Sequence, residues 1–82
     1  MPKHIIPLSD LEIGQRAVIT KIKFKGATRQ RLVAMGFVKG ETIFVQKVAP
    51  LGDPVDYLIK NYHISLRKDD ASNILVEREK EA

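Results

Sequence analysis

The side chains that could take part in chemistry are few in this sequence, and most of them are carboxylates. Oxygen and imidazole ligands for a metal ion are available at Asp53, Asp56, His63, Asp69 and Asp70. Their spacing identifies no particular metal, and the absence of cysteine excludes thiolate ligands and disulfides. Asp53, Asp56 and His63 are therefore only weak candidates for a divalent-metal site at the surface, and we expect that no cofactor is required.

The residue patterns of common catalytic sites are also missing. The five glycines occur singly, so the sequence contains no glycine-rich phosphate loop. Ser9 and Ser65 do not stand in a nucleophile elbow. A lone strand histidine such as His63 is more often a surface or structural residue than a catalyst. We therefore predict no catalytic residues, and a protein that acts by binding rather than as an enzyme.

For several of the carboxylates we favour a structural interpretation. Asp53 follows a glycine in a turn, and we predict that it caps this loop through its own backbone. Asp69 and Asp70 are interpreted as negative charges at the N-terminal end of a short helical turn over residues 67–72. These residues are therefore expected to shape loops and not to perform chemistry.

The spacing of apolar residues predicts five short strands, over residues 15–24, 41–48, 55–60, 62–66 and 73–77. A short helix is predicted over residues 28–35, with Thr28 as its N-cap and Gly36 as its C-terminal stop. Phe37 is then expected to fold back onto Leu32. Turns recur about every eight to twelve residues, which is typical of a small closed barrel. The predicted fold is mostly β: a small SH3-like barrel of about five strands with a short helix inserted after the first strand.

The length of the chain, 82 residues, allows a single domain. We place it at residues 8–78, with an N-terminal extension at 1–7 and a flexible tail at 79–82. Phe24, Phe37 and Phe44 are assigned to its core. No segment reaches the roughly 20 apolar residues of a membrane span, and residues 1–7 lack the apolar core of a signal peptide. We therefore expect a cytoplasmic protein without membrane insertion.

Positive charge is concentrated in the first half of the chain. The net charge is +4, and residues 15–40 contain no acidic side chain but seven basic ones: Arg16, Lys21, Lys23, Lys25, Arg29, Arg31 and Lys39. Such a block attracts acidic protein surfaces, nucleic acids or anionic lipids. A solvated face that keeps a small protein in solution explains the block equally well.

The segment 49–54, which reads Ala-Pro-Leu-Gly-Asp-Pro, is the most constrained part of the chain. Pro50 fixes its own φ angle, and Pro54 favours extended geometry at Asp53. Gly52 permits the positive φ that a tight reversal needs. Leu51 stands at the tip of this loop. It either folds inward or is presented to a partner at low entropic cost, and the residue pattern favours neither.

Several linked motifs carry a family resemblance. They are Leu8-x-x-Leu11-x-x-Gly14, Arg31-Leu32-x-x-Met35-Gly36-Phe37-x-x-Gly40, the 49–54 loop, Ile64-Ser65-Leu66-Arg67-Lys68-x-x-Ala71, and Ile74-Leu75-Val76. Taken together, in order and over residues 8–77, they resemble the ferrous iron transport protein A (FeoA) family. The motifs are specific as a linked set, although any one of them alone would be weak.

The resemblance implies an SH3-like barrel and a cytosolic accessory of FeoB, a membrane ferrous iron transporter with a cytosolic G-protein domain. It supplies no catalytic or metal-ligand signature. The leading hypothesis is therefore a protein of bacterial ferrous iron uptake that binds the cytosolic part of FeoB. The predicted partner-binding residues are Leu51, Gly52 and Asp53 in the loop, and Arg29, Arg31 and Met35 near the helix.

Two alternatives stay open at this stage. The basic segment 15–40 could bind nucleic acid, although few exposed aromatic side chains are available to stack on bases. The chain could also carry or sense a transition metal directly. The sequence does not determine the oligomeric state, so weak self-association stays open as well.

Overall fold

The computed structural model describes residues 4–78, and antiparallel strands form most of the regular secondary structure in this part of the chain. The strands are β1 (Ile5–Pro7), β2 (Arg16–Ile22), β3 (Thr42–Val48), β4 (Val55–Ile59), β5 (Tyr62–Leu66) and β6 (Ile74–Arg78). A 3-10 turn follows β1 at Leu8–Asp10, α1 (Gly26–Ala34) follows β2, and α2 (Lys68–Ala71) follows β5. The mostly β fold with an inserted helix is confirmed, and the five predicted strands end within two residues of their expected bounds.

The strand β1 was not predicted. Its residues were assigned to an N-terminal extension, whereas the structure pairs them antiparallel with β6 and places Ile6 opposite Val76. A segment of three residues that ends in proline is too short to show the alternation of apolar and polar residues that indicates a strand. Proline is tolerated at its end because β1 lies at the edge of the sheet. The remaining residues of the predicted extension and tail, 1–3 and 79–82, lie outside the described residues.

The order of strands across the sheet is β1-β6-β2-β3-β4-β5, which leaves β1 and β5 at its two ends. Among the described residues, no hydrogen-bonded ladder joins these two strands. Instead, the 3-10 turn that follows β1 packs against α2, which follows β5, and both Leu8 and Ala71 are fully buried. Side-chain packing therefore brings the two ends of the sheet together, where the sequence had suggested a continuous barrel.

A change of register in β2 decides which of its side chains face the core. Ala17 and Ile19 are fully buried, so uninterrupted alternation would bury Lys21 as well. The pairing of β2 with β6 shifts between Ile19 and Lys21, which is the mark of a β-bulge. Beyond the bulge Lys21 is exposed and Ile22 is half-buried. The bulge thus keeps a charged side chain out of the core.

The helix α1 ends as predicted but begins earlier than expected. Gly36 has a φ of +106°, and its N–H donates to the carbonyl oxygen of Val33 at 3.0 Å. The N–H of Phe37 donates to the carbonyl oxygen of Leu32 at 2.9 Å, which completes a Schellman motif. The predicted N-cap at Thr28 is wrong: the helix begins at Gly26, and Lys25 occupies the N-cap position without a side-chain cap.

The core is formed mainly by strands β2, β3, β4 and β6, with contributions from the 3-10 turn and both helices. It is built from fully or nearly fully buried apolar side chains, including Leu8, Ile19, Leu32, Phe37, Ile43, Val45, Tyr57, Ile59, Ile74 and Val76. Of the three phenylalanines assigned to the core, only Phe37 is fully buried, and Phe24 is half-buried. Phe44 is also half-buried, but it lies on the outer face of the sheet because its neighbours Ile43 and Val45 point inward. On that face the Arg16 guanidinium lies 5.7 Å from the centre of the Phe44 ring.

Candidate partner-binding site

The loop that joins β3 to β4 is closed by its own backbone. The N–H of Gly52 donates to the carbonyl oxygen of Ala49 at 2.8 Å, and the N–H of Ala49 donates to the carbonyl oxygen of Pro54 at 3.0 Å. Gly52 has a φ of +93°, which an L side chain rarely adopts. These bonds and the two prolines give the loop one conformation, as the residue pattern predicted.

Leu51 stands at the tip of this loop and is 97% exposed. The structure thereby decides between the two orientations that the sequence left open, because the side chain does not fold inward. A single exposed leucine is not unusual in itself, but at the tip of a closed loop it presents an apolar side chain that a partner surface can cover. Because the loop is already ordered, covering Leu51 would cost little conformational entropy.

Asp53 anchors this loop to the segment that follows β5. Its Oδ1 accepts a hydrogen bond from the backbone N–H of Lys68 at 2.9 Å, which satisfies a free donor at the start of α2. The prediction that Asp53 caps its own loop is therefore wrong, since its partner lies 15 residues further along the chain. The contact joins two loops that sequence spacing alone could not relate.

Removing this carboxylate is expected to loosen the loop and destabilise the fold modestly. Asp53→Ala should lower the free energy of unfolding by about 1 kcal/mol, the typical cost of losing a cap to a helical N–H. Asp53→Asn should lower the free energy of unfolding by less than half as much as Asp53→Ala, because its amide oxygen still accepts the hydrogen bond. Urea unfolding of the three proteins measures both effects. Equal stability of Asp53→Ala and wild type would show that the bond contributes nothing.

Tyr57 lies behind the loop and is fully buried in β4. Its hydroxyl has no hydrogen-bond partner within residues 4–78. Burial, and secondarily the negative charge of Asp53, raise the pKa of Tyr57 to about 12. The site therefore contains a neutral phenol that cannot ionise at physiological pH, which suits a structural residue rather than a general base.

The other predicted partner-binding residues lie on α1 and at its C-terminal cap, Met35. Arg29 and Arg31 are exposed, and Met35 is half-buried against the core. Gly36, next to Met35, approaches the side chain of Lys60 in the turn after β4, whereas the 49–54 loop precedes β4. At about 3.3 Å per residue, the five residues of β4 separate these two ends by roughly 17 Å. The six predicted residues thus form two separate patches.

Each weak metal-ligand candidate is held by a different partner. Asp56 accepts a hydrogen bond from the Ser65 hydroxyl, and Nδ1 of His63 lies 2.6 Å from Oε1 of Gln46. Asp69 and Asp70 occupy the first turn of α2, as predicted. Within residues 4–78, no group of three or more histidine or acidic side chains comes together as a metal site.

The basic side chains group in space in a way that the sequence alone did not indicate. Five of the seven in segment 15–40 line one surface between β2 and α1: Lys21, Lys23, Lys25, Arg29 and Lys39. Only Arg29 among these had been predicted as a partner-binding residue. The alternation of lysine with apolar residues over 21–25 was the available signal, since it places successive lysines on one side of an extended chain.

These features define a small SH3-like domain that carries a closed loop with an exposed apolar tip. No helix within residues 4–78 is long and apolar enough to cross a membrane. A family model, described as the FeoA domain, matches residues 6–78. The chain therefore belongs to the FeoA family, as the resemblance of its motifs indicated, and this family is part of ferrous iron transport.

Individual proteins that are similar to this chain agree with this assignment. A fusion of Fe(2+) transport protein A with the Fe(2+) transporter FeoB, from Porphyromonas gingivalis, is 50% identical over 70 residues, which are 85% of this chain and 8% of the fusion. The solution structure of FeoA from Chlorobium tepidum is 34% identical, with a TM-score of 0.84 over 89% of this chain and 70% of that one. FeoA of Stenotrophomonas maltophilia, described as a prokaryotic SH3 domain protein and complexed with zinc, is 26% identical, with a TM-score of 0.75 over the full length of both chains.

Proposed function

We propose that this protein is an accessory of bacterial ferrous iron uptake that binds the cytosolic part of a FeoB-type transporter and acts by that contact, without catalysis. The observation that carries the proposal is Leu51, 97% exposed at the tip of a loop that its own backbone closes. The fusion of a related domain to FeoB in one polypeptide supports the choice of partner. The cytosolic G-protein domain is the part of the transporter that we assign to the contact.

The contact is proposed to combine an apolar and an electrostatic patch. Leu51, with Gly52 and Asp53 holding its loop in place, would insert into an apolar depression of the partner. Arg29 and Arg31, both exposed on α1, would meet acidic side chains, and the half-buried Met35 would border this second patch. Apolar anchors supply most of the affinity in such interfaces, while exposed charges mainly steer association.

Leu51→Asp is expected to weaken binding to the cytosolic domain of the transporter at least tenfold. Burying a leucine contributes about 1.5–3 kcal/mol, and each 1.4 kcal/mol is a factor of ten in affinity. Immobilised wild-type and variant proteins are compared for capture of the purified domain. The variant should fold normally, because a substitution at an exposed position changes stability by only about 0.5 kcal/mol.

Ile13→Asp provides the matched control. Ile13 is 60% exposed and also apolar, but it lies in the turn before β2, outside the predicted contact. Its substitution should leave binding within twofold of wild type. Equal binding by wild type and Leu51→Asp would remove the loop from the interface, and failure of wild type to bind the domain would overturn the proposed function itself.

A further inference from the structure

A basic groove runs between β2 and α1. It consists of two adjoining depressions, of 480 and 450 Å³, which share Lys21, Ile22 and Arg29 as lining residues. We call it the β2–α1 groove. Its other cations are Lys23, Lys25 and Lys39, and its apolar lining includes Phe24 and Val33.

The positive charge of the chain is gathered in this groove. Among the described residues, its lining includes five cations and no acidic side chain. The whole chain carries a net charge of +4, so everything outside the groove has a net charge of −1. The ion pair described within residues 4–78, Lys60 with Glu41 at 3.7 Å, lies outside the groove. Within residues 4–78 no carboxylate forms an ion pair with the groove cations, and their charge attracts an anionic ligand.

The cations are spaced like the side chains of an extended peptide. Lys21, Lys23 and Lys25 are exposed, while Ile22 and Phe24 between them are half-buried. This alternation of exposure is typical of an extended chain, in which alternate residues are about 6.6 Å apart, and Lys25 itself is extended, with φ −131° and ψ 167°. Acidic residues at alternate positions of an extended ligand would have the same repeat.

The opposite wall of the groove is fixed by a helix. Nη1 of Arg29, on α1, donates to the carbonyl oxygen of Ile22 at 3.2 Å, which holds the guanidinium at the junction of the two depressions. The remaining guanidinium N–H groups are left to bind a carboxylate. Val33, one turn further along α1, adds apolar surface beside it. The groove thus alternates charged and apolar contacts along its length.

We infer that the β2–α1 groove binds an extended acidic segment of the partner protein, with carboxylates at alternate positions over the lysines and apolar side chains between them. This inference rests on the proposed function, because it names the chemistry of a second contact with the same partner. An extended chain fits between cations on both walls of a groove better than a flat bilayer surface does. Nucleic acid is disfavoured because Phe37 is fully buried and Phe24 half-buried, which leaves little aromatic surface for stacking bases.

The test measures binding of a fluorescein-labelled peptide of eight residues, with glutamate at alternate positions and leucine or glycine between, by fluorescence anisotropy. Its control is the same peptide with glutamine in place of glutamate. Lys21→Glu is compared with Lys47→Glu, since both lysines are exposed on strands and both changes alter the net charge equally, but Lys47 does not line the groove. We expect Lys21→Glu to weaken binding at least fivefold and Lys47→Glu less than twofold.

Several outcomes would overturn the inference. The first is failure of the acidic peptide to bind, and the second is equal binding of the acidic and glutamine peptides. The third is equal weakening of binding by Lys21→Glu and Lys47→Glu, which would indicate unspecific electrostatic attraction. Competition with a single-stranded oligonucleotide, or with vesicles containing anionic phospholipid, at matched charge concentration should leave the peptide bound. Its displacement by either would assign the groove to that ligand instead.

Capture of the transporter's cytosolic domain separates this inference from the proposed function. If wild type and Lys21→Glu capture the domain equally while Leu51→Asp does not, the proposed function stands and the groove has no part in it. If no variant captures the domain but the peptide binds in the groove, the groove's preference for acidic chains is supported and the assigned partner is wrong.

Discussion

Replacing Phe37 with alanine is expected to lower the free energy of unfolding by about 3–5 kcal/mol, the cost of removing a fully buried aromatic side chain. Phe37 is 0% exposed, and its N–H completes the motif that ends α1. Its ring packs in the core with Leu32, the buried residue of that helix. The total stability of a domain of this size is on the order of 4–12 kcal/mol, so the loss should be a large fraction of it. Urea unfolding followed by circular dichroism measures the change.

Phe44→Ala is the matched control for this substitution. The same atoms are removed, but Phe44 is half-buried on the outer face of the sheet beside Arg16. The loss of stability should therefore be less than half of that for Phe37→Ala, because the removed surface is already partly in water. Equal losses for the two variants would contradict the assignment of Phe37 to the core and Phe44 to the surface.

Replacing Tyr57 with phenylalanine is expected to change the stability of the protein most at alkaline pH. An unperturbed tyrosine has a pKa of 10.0, and in the folded protein the pKa of Tyr57 is raised to about 12. As the pH rises, the unfolded chain therefore releases this proton first. The free energy of unfolding of the wild type is unaffected by this group below pH 10 and falls between pH 10 and about 12, by up to about 2–3 kcal/mol.

Tyr57→Phe should remove this contribution to the alkaline fall. At neutral pH the variant should be more stable than wild type by about 1 kcal/mol, because it no longer buries a hydroxyl without a protein partner. Unfolding in urea is measured at pH 7, 10 and 11.5. Tyr62→Phe is the control: Tyr62 is 57% exposed, so this change should leave the alkaline fall intact. If the free energy of unfolding of Tyr57→Phe falls at alkaline pH as much as that of the wild type, a group other than Tyr57 causes the fall.

The strands were predictable from the sequence because their signal is local. Alternating β-branched and polar residues place β3, β4 and β5 within one residue of their observed bounds. The C-terminal end of α1 was equally clear, since a glycine followed by an apolar residue specifies a Schellman motif. The start of α1 was not, because Lys25 offers no side-chain cap that could be recognised. The strand β1 depends on pairing with β6, which only the complete fold provides.

The candidate site was predictable in composition but not in arrangement. The two prolines and the glycine correctly indicated a rigid loop, yet the exposure of Leu51 depends on what surrounds the loop in space. The partner of Asp53 lies 15 residues away, beyond the reach of any local rule. The grouping of five cations likewise depends on a bulge in β2 and on the placement of α1. Whether the predicted partner-binding residues form the contact stays a prediction.

The pairing of β1 with β6 has a consequence for how this fold can be combined with others. Ile5 lies opposite Glu77, and the N–H of Arg78 donates to the carbonyl oxygen of His4 at 2.9 Å. The polypeptide therefore enters and leaves the folded unit at neighbouring points on one edge. Units with adjacent points of attachment can be spliced into a surface loop of a larger protein without pulling that loop apart. The geometry makes this barrel a self-contained cassette, as suited to insertion within a host chain as to attachment at one of its ends.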